Sequence, residues 1–404
     1  MNTEKHLTAE LHHRADGIDG SPISFEDVVG RAGRIKRRQR ITTGVAALAA
    51  AAVIVPTAML GGSLFDDDAA PDPARPGIQQ VHDVTLDPSL SEADTPPKLA
   101  YTDADKLVEP DGTTTTLEQV YGAPARVGDE YLASYGFEGG EPTIDILDSN
   151  FGVTDTLETN SGAVASADHT VAAWIARDNT IMTRFEGHDV DLGKVDGDYP
   201  QPVAILGSES CMEAEGGCRV FYNVQGSAPM VIHSHGNVET VPGDFTRIGA
   251  VSPDNLIAGL VTPQNAAPTD PLCSAVYDER ASQRLFETCG WTFDNSAGFS
   301  PDNSLLVGQS VESDGSGPRS LTVVDARTGE KVLGVSLPRQ PRTTYIAAST
   351  WEDDEHLLVS TSRTTMNSPG LGNLYRVGLD GSVERLLERD HDNGTMTQPW
   401  AMIR

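Results

Sequence analysis

The chain has 404 residues and a formal net charge of −30, with 38% hydrophobic and 22% charged residues. A chain with this much negative charge repels the phosphates of nucleic acid and of anionic lipid headgroups. We therefore expect it to bind no nucleic acid. The charge is unevenly distributed, because residues 1–65 carry a net charge of +2, whereas residues 66–404 hold 53 acidic and 21 basic residues. Composition therefore separates a short basic N-terminal part from a long acidic remainder.

The first 40 residues combine an amphipathic segment with a basic stem. Ser24 has the character of a helix N-cap, with Asp27 three residues later as in a capping box. A helix that begins at Phe25 would carry an apolar face before it becomes the basic stem. We expect this face to lie at the lipid surface. The alternative is that residues 1–40 dock a cytosolic partner.

Residues 41–65 form a charge-free apolar run that predicts one transmembrane helix. At 1.5 Å per residue, a helix of this length reaches roughly 37 Å, which exceeds a hydrocarbon core of about 30 Å. Lysine and arginine stay on the cytoplasmic side of a span. The basic residues that precede this run are Arg31, Arg34, Lys36, Arg37, Arg38 and Arg40. We therefore expect a single-pass cell-membrane protein with residues 1–40 in the cytoplasm and a C-terminal domain outside.

An uncleaved signal anchor is favoured over a cleaved signal peptide. About 40 residues precede the apolar run, which is longer than an ordinary signal-peptide n-region. No A-x-A cleavage site follows, since Ala58 has Pro56 at the minus-three position. The two alternatives are a cleaved signal peptide and a buried alanine-rich core helix.

Residues 66–80 predict a flexible acidic and proline-rich linker, and residues 81–404 predict an all-β domain. In the linker, aspartate, alanine and proline dominate. Beyond it, short runs rich in Val, Ile, Leu, Thr and Tyr alternate with clusters of Gly, Asp, Asn, Ser and Pro, which is the pattern of strands and turns.

Two repeated units predict a seven-bladed β-propeller, with six or eight blades as alternatives. The first unit is a polar turn before an apolar strand, and the second is a strand, a tight turn and a strand, as in LYRVGLDGSVERLLE. Both units occur seven times in strict alternation. Clear copies of the first unit begin at Ser252 and Ser300, with weaker copies at Ser166 and Trp351. A period of roughly 40–50 residues with four strands is typical of propeller blades.

Ser300-Pro301-Asp302 before an apolar strand, with a later strand pair joined at Asp380-Gly381, resembles the propeller repeats of TolB-like and WD-type proteins. The basic stem, the single span and the linker give the whole chain a layout similar to uncharacterised single-pass envelope proteins of high-GC Gram-positive bacteria. Sigma factors are frequent neighbours of such proteins, which makes signalling one implication of the resemblance. The resemblance implies a fold more strongly than a function.

The four cysteines all fall on the predicted outer side, where disulfides persist. In the repeat register, Cys273 and Cys289 flank one hairpin, whose turn is expected near Ala281. Cys211 and Cys218 flank the entry turn of the fourth blade. The register predicts the disulfides Cys211–Cys218 and Cys273–Cys289. A zinc site is the alternative, although no C-x-x-C spacing is present.

Candidate chemical residues are weighed against structural roles. His233 and His235 resemble a metal pair, but their register places them at an exposed outer hairpin turn. The clustered aspartates do not have EF-hand spacing, which leaves weak surface calcium binding as an alternative; these are Asp189, Asp191, Asp196 and Asp198. The four tryptophans are predicted to fill the core, with sugar stacking as the alternative; these are Trp174, Trp291, Trp351 and Trp400. No catalytic residue, metal ligand or cofactor is predicted.

Three functional hypotheses remain. The first is a non-enzymatic binding or scaffold module for a protein, peptide or glycan of the cell envelope, held in the lipid bilayer by residues 41–65. The second is a transmembrane regulator that acts on a cytosolic factor, such as a sigma factor, through residues 1–40. The third is an extracytoplasmic propeller enzyme acting on glycans or lactones. The absence of common catalytic motifs favours the first over the third.

The C-terminal tail is expected to close the ring. By the repeat count it is one strand too many, whereas the first blade lacks a good candidate for its first strand. We therefore predict that residues 397–403 pair with the strand near Leu99–Tyr101. Trp400 and Ile403 would then be buried between the first and last blades.

Overall fold

The computed structural model describes residues 81–136, 142–207, 211, 217–262, 271–293, 297–311, 317–340, 343–363, 370–391 and 400–403. The predicted cytoplasmic segment, apolar run and linker lie outside these residues. No helix in the described part of the chain has the length and apolar character needed to cross a membrane.

The described residues form seven β-sheets, one for each blade, which confirms the predicted all-β seven-bladed propeller. Six sheets have four strands and the seventh has an additional fifth strand. In chain order the strands are β1 (His82–Thr85), β2 (Tyr101–Asp103), β3 (Lys106–Val108), β4 (Thr114–Thr116), β5 (Ala125–Val127), β6 (Glu130–Tyr135), β7 (Thr143–Leu147), β8 (Val153–Glu158), β9 (Val164–Ala165), β10 (Val171–Ile175), β11 (Thr180–Phe185), β12 (His188–Lys194), β13 (Asp198–Leu206), β14 (Arg219–Gln225), β15 (Met230–His233), β16 (Val238–Thr240), β17 (Arg247–Val251), β18 (Leu256–Leu260), β19 (Ser274–Asp278), β20 (Gln283–Thr288), β21 (Trp291–Thr292), β22 (Leu305–Ser310), β23 (Ser320–Asp325), β24 (Lys331–Ser336), β25 (Thr344–Trp351), β26 (His356–Arg363), β27 (Gly370–Gly378), β28 (Val383–His391) and β29 (Ala401–Met402).

In blades 2–7, four consecutive strands build the blade from its first strand to its outer fourth strand. Blade 1 contains β2–β4, blade 2 β5–β8, blade 3 β9–β12, blade 4 β13–β16, blade 5 β17–β20, blade 6 β21–β24 and blade 7 β25–β28. Because successive strands are antiparallel, the connections after the first and third strands of every blade lie on one face. We call it the turn face. The polar turns and the hairpin turns of the two sequence repeats both lie there.

The Ser-x-Asp sequence forms its turn through its own side chains. The Ser300 hydroxyl donates to Asp302 at 2.7 Å and accepts the Leu305 backbone N–H at 2.9 Å. Asn303 adopts a left-handed conformation with φ +63°, which asparagine tolerates better than most residues. Blade 3 repeats these bonds from Ser166. The repeat is therefore a hydrogen-bonded turn that starts the second strand.

The core lies between blades, since the described residues contain seven buried apolar clusters, one at each junction of neighbouring blades. At the junction of blades 2 and 3, for example, Trp174 packs against Leu132 and Ile144. A single blade would leave both of its apolar faces in water, so the blades are stable only as a complete ring.

The C-terminal strand closes the ring in blade 1, as predicted. Strand β29 pairs antiparallel with β2, and the Ile403 N–H donates to the Ala100 carbonyl at 2.9 Å. Trp400, 2% exposed, packs between blades 7 and 1 as predicted. The expectation for Ile403 was wrong, because it packs at the junction of blades 1 and 2. Residues three apart in a strand point to opposite faces of the sheet.

An unpredicted feature is the N-terminal strap, which we define as residues 82–100. It begins with β1, which pairs in parallel with the outer strand β24 and makes blade 6 five-stranded. Leu86, which is fully buried, then enters the core between blades 6 and 7. The Ala93 N–H donates to the Arg385 carbonyl at the edge of blade 7. The strap thus crosses the outer edges of two blades before blade 1 begins.

Both disulfides of the predicted pairing are present. Cys273 directly precedes Ser274 and Cys289 directly follows Thr288, and these two neighbours are paired across the hairpin. The intervening turn falls at residues 279–282, as expected. Cys211 and Cys218 are each 1% exposed and belong to the core between blades 3 and 4.

Candidate functional site

A cleft of about 650 Å³ opens on the turn face, between the turns of blades 3, 4 and 5. Its volume falls in the range of ordinary ligand pockets. Its described lining residues are Ser166, Ala167, Asp168, Ile205, Leu206, Gly207, Gly217, Cys218, Arg219, His233, Ser234, His235, Asn237, Glu239, Pro253 and Asn255.

The cleft forms where blade 4 departs from the repeat. In blade 5 the tight turn 252–255 joins the first two strands, whereas in blade 4 residues 207–218 make this connection. Gly207 has φ +115°, and a Cβ there would lie 2.9 Å from the Cα of Cys218. Only glycine permits this approach, which brings the two ends of the connection together beside the disulfide.

Arg219 forms the wall between blades 4 and 5. One of its terminal nitrogens donates to both oxygens of Glu279 at 2.9 Å, and the other donates to the side chain of Asn255. Its guanidinium also stands 5.2 Å from the ring centroid of Phe221. This arrangement neutralises the positive charge and holds the side chain in one position.

The hairpin between β15 and β16 forms the outer wall. The turn places His235 and Gly236 as the repeat register predicted, and the Gly236 N–H donates to the His233 carbonyl at 2.8 Å. This turn also borders the cleft, because both His233 and His235 line it. The His233 Nε2 atom lies 3.9 Å from a carboxylate oxygen of Glu239.

Asp168 of blade 3 forms the opposite wall. Its Oδ1 atom accepts hydrogen bonds from the Ser166 hydroxyl at 2.7 Å and the Thr170 hydroxyl at 2.9 Å. Partial burial raises the pKa of Asp168, but these hydrogen bonds outweigh it and leave the pKa below its usual value. Asp168 therefore brings a negative charge to the cleft at neutral pH.

Two clusters of potential metal ligands occur among the described residues, and neither lies in the cleft. In the first, Cys273 and Cys289 are bonded to each other, so neither supplies a thiolate. In the second, Glu352 and Asp353 already accept hydrogen bonds from Arg376 and Lys98. These bonds give the second cluster a role in ion pairing.

The other sequence candidates take structural positions. Asp189 pairs with Arg184, which also binds Glu130 of blade 2, so this aspartate belongs to a link between blades. Neither ligand cluster of the described residues includes the four clustered aspartates. Three of the tryptophans are buried in the core, and Trp291 is half-buried.

Sequence reasoning missed Arg219, Asp168 and Glu239 as members of one site. The available signal was the fourth copy of the polar turn, where a cysteine-flanked segment replaces Ser-x-Asp. The sequence does not show that turns of blades 3 and 5 would line the resulting gap.

Among known proteins, similarity to this chain is found in solved structures of low sequence identity. No family model and no curated protein matches the chain. Solved structures similar to it include TolB from Acinetobacter baumannii, at 17% identity over 59% of this chain and 66% of that one, with a TM-score of 0.39. The match therefore spans just under two thirds of the TolB chain. BamB from Moraxella catarrhalis matches at 11% identity over 74% and 96% of the two chains, with a TM-score of 0.40. The propeller domain of Myceliophteria thermophila Cps50 (Swd1) matches at 11% identity over 68% and 88%, with a TM-score of 0.46. At these values the similarity carries no argument about ligand or activity.

Proposed function

We propose that this chain is a membrane-anchored, extracytoplasmic propeller that acts as a binding or scaffold module and engages a partner protein through the cleft of blades 3–5. One observation carries the proposal. The cleft lies where blade 4 has a disulfide-closed connection in place of the polar turn of the repeat. Departures from a local sequence rule concentrate at functional sites.

Binding is favoured over catalysis by the way that the lining residues are used. Arg219 is held by Glu279 and Asn255, and the Ser166 hydroxyl is bonded within its turn. These groups are rigid contact points, and their hydrogen bonds leave no activated nucleophile among them. A preformed, rigid wall suits recognition because little conformational freedom is lost on binding.

Photo-crosslinking in intact cells tests the recognition site. The cross-linking amino acid replaces Asn237 at the cleft, or Val120, a half-exposed residue in the connection between blades 1 and 2, as the matched control. We expect a discrete crosslinked product from position 237 and none from position 120. Equal products from both positions, or none from position 237, would contradict the proposal.

The membrane anchor rests on the basic stem, the apolar run 41–65 and the acidic remainder. We expect protease added to intact cells to remove the chain beyond residue 66 and to leave a small membrane-bound fragment. A C-terminus that is protected from the protease would contradict this topology. A role of residues 1–40 in contacting a cytosolic factor stays a prediction from the sequence.

A further inference from the structure

We infer that the cleft takes a cationic side chain, a lysine or arginine presented by the partner protein, between Asp168 of blade 3 and Glu239 of blade 4. The inference rests on the proposed function, because it specifies what the same cleft recognises.

The described lining residues of the cleft include no uncompensated lysine or arginine. Arg219 is the only lysine or arginine among the described lining residues, and both oxygens of Glu279 lie 2.9 Å from one of its nitrogens. Its remaining terminal nitrogen is directed to Asn255. An incoming cation therefore meets a neutralised pair on this wall, and an incoming carboxylate finds no available guanidinium.

Two carboxylates, Asp168 and Glu239, occur among the described lining residues. Asp168 stays ionised because its turn stabilises the charged form. The hydrogen bonds from the Ser166 hydroxyl and from the Thr170 backbone N–H and hydroxyl end on its Oδ1 atom. Glu239 has 69% of its side chain exposed on the outer strand β16. Two such acceptors in the lining of one cleft suit an ammonium or guanidinium group.

His233 supplies a third polar group to the lining of the cleft. Its Nε2 atom is buried and has no hydrogen-bond partner among the described residues, and the nearest carboxylate oxygen of Glu239 lies 3.9 Å away. A buried polar atom without a partner is costly, so a ligand that satisfies it gains affinity. In the neutral ring this nitrogen can accept a hydrogen bond from a cationic donor.

The charge of the whole domain acts in the same direction. Residues 66–404 carry 53 acidic and 21 basic residues. A field of this sign raises the local concentration of cationic ligands and speeds their association at low salt. It repels an acidic partner, so the long-range and local electrostatics agree.

The test uses the full-length chain and two fluorescein-labelled peptides, (Gly-Lys)3 and the same peptide with every lysine acetylated. Fluorescence anisotropy compares the wild type with Asp168→Asn/Glu239→Gln. The matched control is Asp302→Asn/Glu330→Gln, which makes the same charge change in blade 6, and Asp302 forms the same turn as Asp168. Melting temperatures verify that both variants are folded.

We expect the wild type to bind the lysine peptide about tenfold tighter than the acetylated one, which is about 1.4 kcal/mol. The cleft variant should lose most of this preference, and the control should keep it. An equal loss in both variants would show that only net charge matters and would overturn the inference, as would equal affinity for both peptides. If crosslinking from position 237 persists in the cleft variant without any lysine preference, the inference falls and the proposed binding site stands.

Discussion

Glu352 and Arg376 form a buried ion pair that joins the N-terminal strap to blade 7. The side chain of Glu352 has no exposure and that of Arg376 has 8%. Arg376 also donates to the Pro96 carbonyl at 2.8 Å, and Glu352 accepts the Lys98 N–H at 2.7 Å. Every charged group of this pair therefore has partners, and two of these belong to the strap.

We predict that Glu352→Ala destabilises the protein by about 3–5 kcal/mol, because it leaves the Arg376 guanidinium buried without its carboxylate. Urea unfolding followed by circular dichroism measures the change. The control is Glu158→Ala, which removes the exposed pair with Arg177 and should cost at most about 1 kcal/mol. Similar costs for the two variants would contradict the role assigned to the buried pair.

Asp353, next in sequence, predicts a pH dependence. Partial burial raises its pKa, but hydrogen bonds from Lys98, the Glu355 backbone N–H and His356 outweigh it and hold the pKa well below its usual value. A carboxyl group whose pKa is lower in the folded state stabilises that state above its unfolded pKa, near 4, and this stabilisation is lost as the pH falls through the folded pKa.

We therefore predict that Asp353→Asn lowers the free energy of unfolding at pH 7 and that the difference from the wild type shrinks below about pH 4. Urea unfolding at a series of pH values between neutrality and pH 2 measures this difference. A difference that stays constant over the whole series would show that Asp353 does not contribute through its charge.

At the scale of elements, the N-terminal strap is part of the propeller core. Strand β1 covers the edge of β24, which would otherwise expose unpaired backbone groups. Leu86 follows it into the cluster between blades 6 and 7. The strap thus protects the edge of blade 6 with β1 and then fills the core between blades 6 and 7 with the next residue, Leu86.

We predict that Leu86→Ala costs about 2–5 kcal/mol, since it leaves a cavity at a fully buried position. Val81→Ala, at a position 52% exposed just before β1, is the control and should change stability by less than about 0.5 kcal/mol. Chemical unfolding of both variants measures these changes in stability. A Leu86 variant as stable as the control would mean that the strap is dispensable.

For the whole molecule, stability depends on an unbroken ring. Each of the seven clusters of described residues joins two neighbouring blades, and the one between blades 7 and 1 contains Trp400, which directly precedes the last strand. Opening the ring would expose the apolar faces of two blades at once, together with the edge of β2.

Deleting residues 392–404 should consequently lower the melting temperature by many degrees and promote aggregation. Trp400→Phe, which keeps most of the buried aromatic side chain, should have a much smaller effect. Differential scanning calorimetry with light scattering measures both. A truncated chain that melts within about two degrees of the wild type, a shift worth about 1 kcal/mol or less, would show that β29 does not close the ring.

The sequence by itself determined the features that depend on neighbouring residues. Ser-x-Asp turns, alternating strands and tight hairpins are local signals, and their sevenfold repetition predicted the blade count. The cross-strand position of Cys273 and Cys289 followed from the same register. The need for a closing strand followed from counting, although the side chain of Ile403 was assigned to the wrong junction.

Only the tertiary structure decided the strap and the cleft. The bond from Ser336 to Val84 joins residues 252 apart, and no local pattern encodes such a pairing. The lining of the cleft comes from three blades, and Arg219 meets Glu279 only because blades 4 and 5 pack side by side. Strand and turn signals act over a few residues, whereas neighbours across blades are set by the packing of the complete ring.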